Sequence, residues 1–548
     1  MKVKNLKKFC LMAMAVAIST STLVACGSDG AAPSGGGADK GQHLIYNMGA
    51  DPKTLDPALN QEVQAGTAIS NAFEGLMTLD ENEKAKPGVA KDFTLSEDGL
   101  VYTFNLRDNA KWSDGEPVTA NDFKYAWTRA LDPKTAAGYS YQLYYIKGAE
   151  DFNVNDGKAE DLGIKVIDDY TLEVTLNSPT VYFPELMAFP AYFPVKEDVV
   201  SANEGWALKP ETYVSNGPFK LTEWRQKDAL VYSKNEHYWN KESVKLDTLE
   251  FRMIGDETTA YSEFKAGGLD MVDSIPPEEI DNAVKEGTGT IYPQIGTYYY
   301  SVNVSGNDLS HEALRDPKVI EALSLAIDRE SLVKNVTKGG QEPATSFVPS
   351  GIKGIDGKPF SKKEYIPAKG DVEKAKKLLE EAGYPGGEGL PTFELMFNTE
   401  GAHSQIAQAV QGMWTGIGVN VELKNQEWKV FQGTRTAKNY QIARDGWVGD
   451  FVDPITFLDL FGTDVGLNNP GYSNAEFDEL LDKSKAELDP AVREGYLKDA
   501  EEILMNDMAI IPIYYYTQPK AMQKNVSGVK VSQLGFISFT EASITAAE

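Results

Sequence analysis

The residues best suited to chemistry fill eleven consecutive positions, Arg444-Asp-Gly-Trp-Val-Gly-Asp-Phe-Val-Asp-Pro454. They bring together a cation, three carboxylates, an indole and two glycines where a backbone must come close to something. Asp450 stands between Gly449 and Phe451, a carboxylate in an apolar and aromatic setting. A charge placed there is poorly solvated and seeks a cationic partner, which the ammonium group of a ligand would supply. The plainer role for Asp450 is to cap a turn or the helix that begins after Pro454. The residues alone leave both roles open.

Enzyme chemistry finds no foothold. There is no G-x-S-x-G elbow, no phosphate loop ending in Gly-Lys-Ser/Thr, no G-x-G-x-x-G and no H-E-x-x-H. His43, His237, His311 and His403 stand far apart without ligand spacing, so neither a zinc site nor any other metal or cofactor is expected. Asp450 with Asp453 imitates a glycosidase pair in spacing only.

These residues must be positioned by a large, acidic chain. Lys2, Lys4, Lys7 and Lys8 precede the apolar Phe9–Ile18 segment, a secretion signal too short to span a membrane. It ends in Leu23-Val-Ala-Cys26, which resembles the lipobox of bacterial lipoproteins and implies cleavage before Cys26 and lipidation of its sulfur; a chance cysteine is the alternative. Cys10 and Cys26 are the only cysteines, so the body after cleavage has no thiol chemistry. Residues 26–41 are a Gly-, Ser- and Ala-rich tether with an r.m.s. reach of about 20 Å. The formal charge of −28 becomes −32 once the four signal lysines leave, which disfavours nucleic acid and anionic lipid as partners.

The body interleaves short strands with helices, an α/β pattern. His43–Asn47 reads as a strand; Ile164–Leu176 as a hairpin about Asp168-Asp169; Trp112-Ser-Asp-Gly-Glu-Pro as a turn, with Thr119 or Asn121 capping the next helix. Amphipathic helices follow at Asp316–Asp328, Asp371–Ala382, Ala402–Gly416 and Asn474–Leu488. Tyr298–Tyr300 and Tyr514–Tyr516 lie in strands flanking this helical block, the arrangement of two crossings between lobes that close on a ligand.

Leu55-Asp-Pro, the Trp112 turn, Gly296-Thr-Tyr-Tyr-Tyr, Asn425-Gln-Glu-Trp-Lys, Arg444–Pro454 and Pro512-Ile-Tyr-Tyr-Tyr together resemble bacterial oligopeptide-binding proteins of the OppA type, in the peptide and nickel family of ABC-transporter solute-binding proteins. The resemblance implies a two-lobed periplasmic-binding-protein-like clamp of the large three-domain variant, type II. It divides the chain into 42–63, 196–303 and 515–548 (first lobe), 64–195 (an additional domain of that lobe) and 304–514 (second lobe). It implies capture of short peptides with a free N-terminus and delivery to a permease and ATPase complex, with no reaction catalysed, by a monomer anchored on the outer face of the membrane.

By the same resemblance Asp450 takes the peptide ammonium, and Trp428 and Trp447 wall side-chain pockets. Arg444 and Arg435 meet a carboxylate or ligand side chain, Asn398 and His403 stand near the far end of the peptide, Tyr139 and Tyr515 line the cleft, and Asp51 lies by the ligand backbone. The residues admit plainer roles: core for the two tryptophans, ion pairs with Asp445 or Asp450 for the arginines, a helix-start surface histidine for His403. Two departures stand out: Asp51 replaces the family's Glu and precedes Pro52, which has no N–H to offer a peptide, and Val448 follows Trp447. The rival readings are the same fold specialised for a dipeptide, nickel chelate or haem, a peptide-sensing receptor, and a secreted hydrolase.

Overall fold

The computed structural model describes residues 41–545, apart from 400, 401 and 464. The expected signal peptide, Cys26 and tether residues 26–40 lie outside the described residues. Among those described, no helix is long and apolar enough to cross a membrane.

Eleven strands join in one sheet. From one edge they run Val421–Gln426, Phe393–Asn398, Ile442–Val448, Gly289–Val302, Ile510–Met522, Met271–Val272, His43–Asn47, Thr248–Arg252, Ala229–Lys234 and Phe219–Arg225, with Glu342–Pro343 paired onto Ile510–Met522. The two central strands are the longest, 14 and 13 residues, and pair antiparallel from Gly289 opposite Ala521 to Ser301 opposite Ile510. Both Tyr-rich segments therefore lie side by side at the middle of the sheet. Register shifts between Pro293 and Thr297 and between Tyr298 and Tyr299 break the ladder and locally increase its twist. Alternation then divides the tyrosines. Tyr298, Tyr300 and Tyr514 enter an apolar cluster with Val302, Trp414 and Ile442, while Tyr299 packs edge-on against Phe347 on the other face.

A separate antiparallel sheet orders Ala90–Leu95, Val101–Leu106, Thr171–Thr175 and Ile164–Asp168, and the expected hairpin is present with its turn at Asp169-Tyr170, one residue later than Asp168-Asp169, because Asp168 still pairs with Thr171. The helix Ala120–Leu131 starts from a capping box in which Asp122 Oδ2 accepts from the Thr119 N–H at 2.7 Å, so Thr119 is the cap. Asp316, Asp371 and Asn474 cap Pro317–Leu325, Val372–Glu381 and Ala475–Ala486 with their side chains, and His403–Thr415 completes the anticipated set. Several helices had no counterpart in the sequence reading, among them Val63–Ala72, Glu257–Lys265, Trp428–Thr436, and Pro490–Asp507 capped by Asp489. The architecture is mixed α/β, as the interleaved pattern implied.

Candidate functional site

The C-terminal ends of three neighbouring strands converge. Phe393–Asn398 pairs parallel to both Val421–Gln426 and Ile442–Val448, and Ile442–Val448 runs out into the Gly449–Asp453 loop. The carboxyl ends of parallel strands are where open α/β sheets bind ligands. Buried polar atoms without a partner among the described residues gather here: Gln426 Oε1, Arg435 Nε, Arg444 Nε and Trp447 Nε1. Such atoms are costly unless water or a ligand meets them.

Register assigns the faces. In Ile442–Val448, Arg444 lies opposite Tyr300 and Gly446 opposite Tyr298, while Asp445 and Trp447 point to the other face, opposite Tyr299 and Thr297. On the first face Arg444 Nη2 donates to the Tyr516 hydroxyl at 3.2 Å, and its guanidinium sits 5.2 Å from the Tyr298 ring centre. Gly446 makes this possible: a Cβ there would lie 2.2 Å from the Tyr516 oxygen. His403, first residue of its helix, contacts the Tyr298 hydroxyl through Nδ1 at 3.2 Å. Burial and the Arg444 cation hold its imidazole down to about 3, so it stays neutral. Arg444 thus has aromatic and hydroxyl neighbours but no carboxylate in ion-pair contact among the described residues.

On the second face Arg435 pairs with Asp445 at 2.6 Å, both largely buried. Asp445 also accepts from Ser301 Oγ and Asn469 Nδ2, each at 2.8 Å, and from the Gly446 N–H at 2.9 Å. Arg435, not Arg444, is therefore the partner of Asp445. Trp447 stays half-buried beside this network.

Asp450 and Asp453 have separate tasks. Asp453 Oδ1 accepts from the Ile455 N–H at 3.0 Å, and its carboxylate forms a two-pronged ion pair with Arg493 at 2.7 and 2.8 Å, so the role of capping the turn before Ile455–Leu458 belongs to Asp453. Phe451 stacks on Tyr182, centroids 4.5 Å apart. Asp450 receives the Gln142 carboxamide on Oδ2, and its N–H donates to Thr456 Oγ1 at 3.2 Å. Burial pushes its carboxyl up to about 7, although Gln142 and the nearby Tyr141 hydroxyl pull it down; no cation contributes. Tyr139, stacked with Tyr141 at 5.7 Å, feels the same charge: burial first and Asp450 second push its phenol up.

The remaining candidates are more scattered. Trp428 is half-buried and stacks with Phe431 at 6.0 Å. Asn398 is buried at its strand end. Tyr515 turns away from Arg444 and bonds Ser346 Oγ at 2.7 Å. It joins Tyr516, Ile295, Val452, Glu342 and Lys353 around a cavity of about 610 Å³. Asp51 accepts from Trp224 Nε1 at 3.3 Å and the Lys227 N–H at 3.1 Å, with no contact to the Asp450 group. Gln142, Tyr141 and Tyr182 escaped the sequence reading, and Tyr516 entered it only as part of a strand; the signal for the first two was the run Tyr139-Ser-Tyr-Gln-Leu-Tyr-Tyr145.

Residues 84–469 match the family described as bacterial extracellular solute-binding proteins, family 5. The chain belongs to this family. It is 40% identical over 539 residues to the oligopeptide-binding protein OppA of Bacillus subtilis (strain 168), covering 96% of this chain and 97% of that one. Among solved structures it resembles the Escherichia coli murein tripeptide binding protein MppA at a TM-score of 0.82, 33% identity, 93% of this chain and 99% of that one. Against a structure titled the unliganded open form of MppA, the score is 0.72 at 32% identity, with 92% and 98% covered. The family fold is thus present along nearly the whole chain, in an arrangement that departs more from the open MppA form than from the other MppA structure.

Proposed function

We propose that this protein captures short peptides by their free amino terminus outside the cytoplasmic membrane and hands them unchanged to an ATP-driven importer. One observation carries the reading: Asp450 and Arg444, a carboxyl and a cation on the same eleven-residue run, are both half-buried, and neither makes an ion-pair contact among the described residues, Asp445 acting on Arg444 only at a distance. A buried charge without a counter-charge costs several kcal/mol. A ligand with an ammonium group and a carboxylate supplies both missing charges. The relatives named for oligopeptides and for a murein tripeptide support the ligand class.

In this reading main-chain hydrogen bonds to strand ends supply affinity without reading sequence. Trp447 and Trp428 wall pockets, Tyr139 lines the ammonium end, and His403 and Asn398 the far end. Lobes of 42–63, 196–303 and 515–548, with the additional domain 64–195, and of 304–514 close about the two central strands. Cys26 carries the lipid that keeps the body at the outer face of the membrane.

Native mass spectrometry of the purified protein, before and after mild denaturation, tests the class. Co-purifying masses fitting peptides of a few residues are expected. A single non-peptide mass, or protein that takes up no free-amino peptide from a casein digest, refutes the reading.

A further inference from the structure

The contact on Asp450 carries information beyond its identity as an ammonium site. Gln142 is 308 residues away in sequence, yet its Nε2 is the donor seated on Asp450 Oδ2. It is 3% exposed. Its main chain is fixed, since its carbonyl accepts from the Tyr192 hydroxyl at 2.5 Å and its N–H donates to Tyr139 O at 3.1 Å. The stack of Phe451 on Tyr182 and the Arg493–Asp453 pair, whose guanidinium also lies 5.5 Å from the Tyr182 ring centre, hold the two segments together beside it. The main chain that presents this side chain to Asp450 is therefore fixed in position, and the side chain itself is neutral.

A neutral partner at this place has a particular consequence. A carboxylate only accepts hydrogen bonds and an ammonium only donates them, whereas a carboxamide presents a donor and an acceptor on one planar group. Gln142 can satisfy Asp450 in the empty site without cancelling its charge. When an ammonium arrives with three N–H groups, Asp450 no longer needs Nε2, and an N–H left without an acceptor in so buried a place is costly.

Resting on the proposed function, we propose that Gln142 is the second holder of the ligand's amino group: it donates Nε2 to Asp450 in the empty protein and turns its carboxamide to present Oε1 to a second ammonium N–H in the filled one. Gln142 thereby sets specificity for a primary ammonium over a substituted one. A dimethylated amino group keeps its charge for Asp450 but retains one N–H and has none to spare for Gln142.

The test titrates the full-length protein with casein-digest peptides, unmodified and reductively dimethylated, reading half-saturation by native mass spectrometry. In the wild type, dimethylation is expected to weaken binding by about tenfold or more, the worth of one buried hydrogen bond to a charged group. In Gln142→Leu the unmodified peptides weaken by about tenfold and dimethylation adds little. Gln142→Lys is a second variant: its own ammonium occupies Asp450, and binding of unmodified peptides is expected to fall by two orders of magnitude or more. The same dimethylation factor in wild type and Gln142→Leu, or wild-type binding by either variant, overturns the proposal. Asp450→Asn separates the two readings. If it binds as wild type, the ammonium site itself falls and this inference with it; if it fails to bind while Gln142→Leu discriminates as the wild type does, only the role of Gln142 falls.

Discussion

If Asp450 holds an ammonium, peptide affinity must depend on pH in a way that few other arrangements reproduce. In the empty protein burial raises the carboxyl from its ordinary value to about 7. A bound ammonium favours the ionised form, so binding releases the proton, and affinity is lost as pH falls through about 7. The ligand contributes the opposite limb, because a free α-amino group titrates at about 7.7–8.0 and must be protonated to bind. The product of the two fractions peaks near pH 7.4 and falls about 50-fold by pH 5. His403, held at about 3, stays neutral throughout and adds no acid limb.

Calorimetric titration with a free-amino peptide, in buffers of different ionisation heat, measures this directly. At pH 6 binding should release about 0.9 proton; at pH 9 it should take up a similar amount, with the sign changing near pH 7.4. Glu74 and Glu501 are also raised to about 7 by burial, so a control must isolate Asp450. Asp450→Asn is that control: it should weaken binding by roughly 3–5 kcal/mol, the cost of a buried charge left unpaired, and abolish the acid limb while keeping the alkaline one. A flat affinity between pH 5 and 7, or an acid limb that survives in Asp450→Asn, refutes the reasoning.

Gly446→Ala should destabilise the fold by about 1–3 kcal/mol, the usual cost of overpacking, because its Cβ would stand 2.2 Å from the Tyr516 oxygen. Adding Tyr516→Phe removes that atom and should restore part of the loss in urea unfolding; a double variant no more stable than Gly446→Ala contradicts the packing. Arg435→Ala leaves Asp445 buried without its cation and should cost about 3–5 kcal/mol of stability while peptide affinity stays within a few-fold. A large affinity loss at unchanged stability would make Arg435 a ligand contact instead. Burial raises the carboxyl of Glu501, 1% exposed, from its ordinary 4.5 to about 7 in the folded state. The folded protein holds that proton more tightly than the unfolded chain. Its stabilising contribution is therefore present below about 4.5 and lost as pH rises to about 7, by up to about 3 kcal/mol. Glu501→Gln should thus gain on the wild type in denaturant unfolding between pH 5 and 8, and a pH-independent difference would count against the burial cost.

Local signals were legible wherever one residue type does one job. Asp316, Asp371 and Asn474 announced their helices because a short acceptor before an amphipathic run is nearly always a cap. The strands Phe393–Asn398 and Val421–Gln426 were harder, since at the sheet edge Glu394, Glu422 and Lys424 replace the apolar alternation with surface charge. The 18-residue Pro490–Asp507 helix is polar along much of its length, which hid it despite Asp489 and Pro490 at its start.

The site was legible in its residues and obscure in its geometry, for a reason visible in three adjacent tyrosines. Tyr514-Tyr-Tyr516 has no internal phase, so the sequence cannot say which ring meets Arg444. The register shift between Tyr298 and Tyr299 sets it, turning Tyr516 toward Arg444 and Tyr515 toward Ser346. The two aspartates behave alike in this respect. Spacing left Asp450 open to capping or to a ligand; Asp453 takes the Ile455 N–H two residues on, and the Arg493 guanidinium, supplied from elsewhere in the fold, draws it into the structural role and leaves Asp450 facing a neutral Gln142. In the proposed reading, what sets Asp450 apart from Asp453 is the charge of the partner the fold brings to each. Partners 40 and 308 residues away carry that difference, and no local pattern records it.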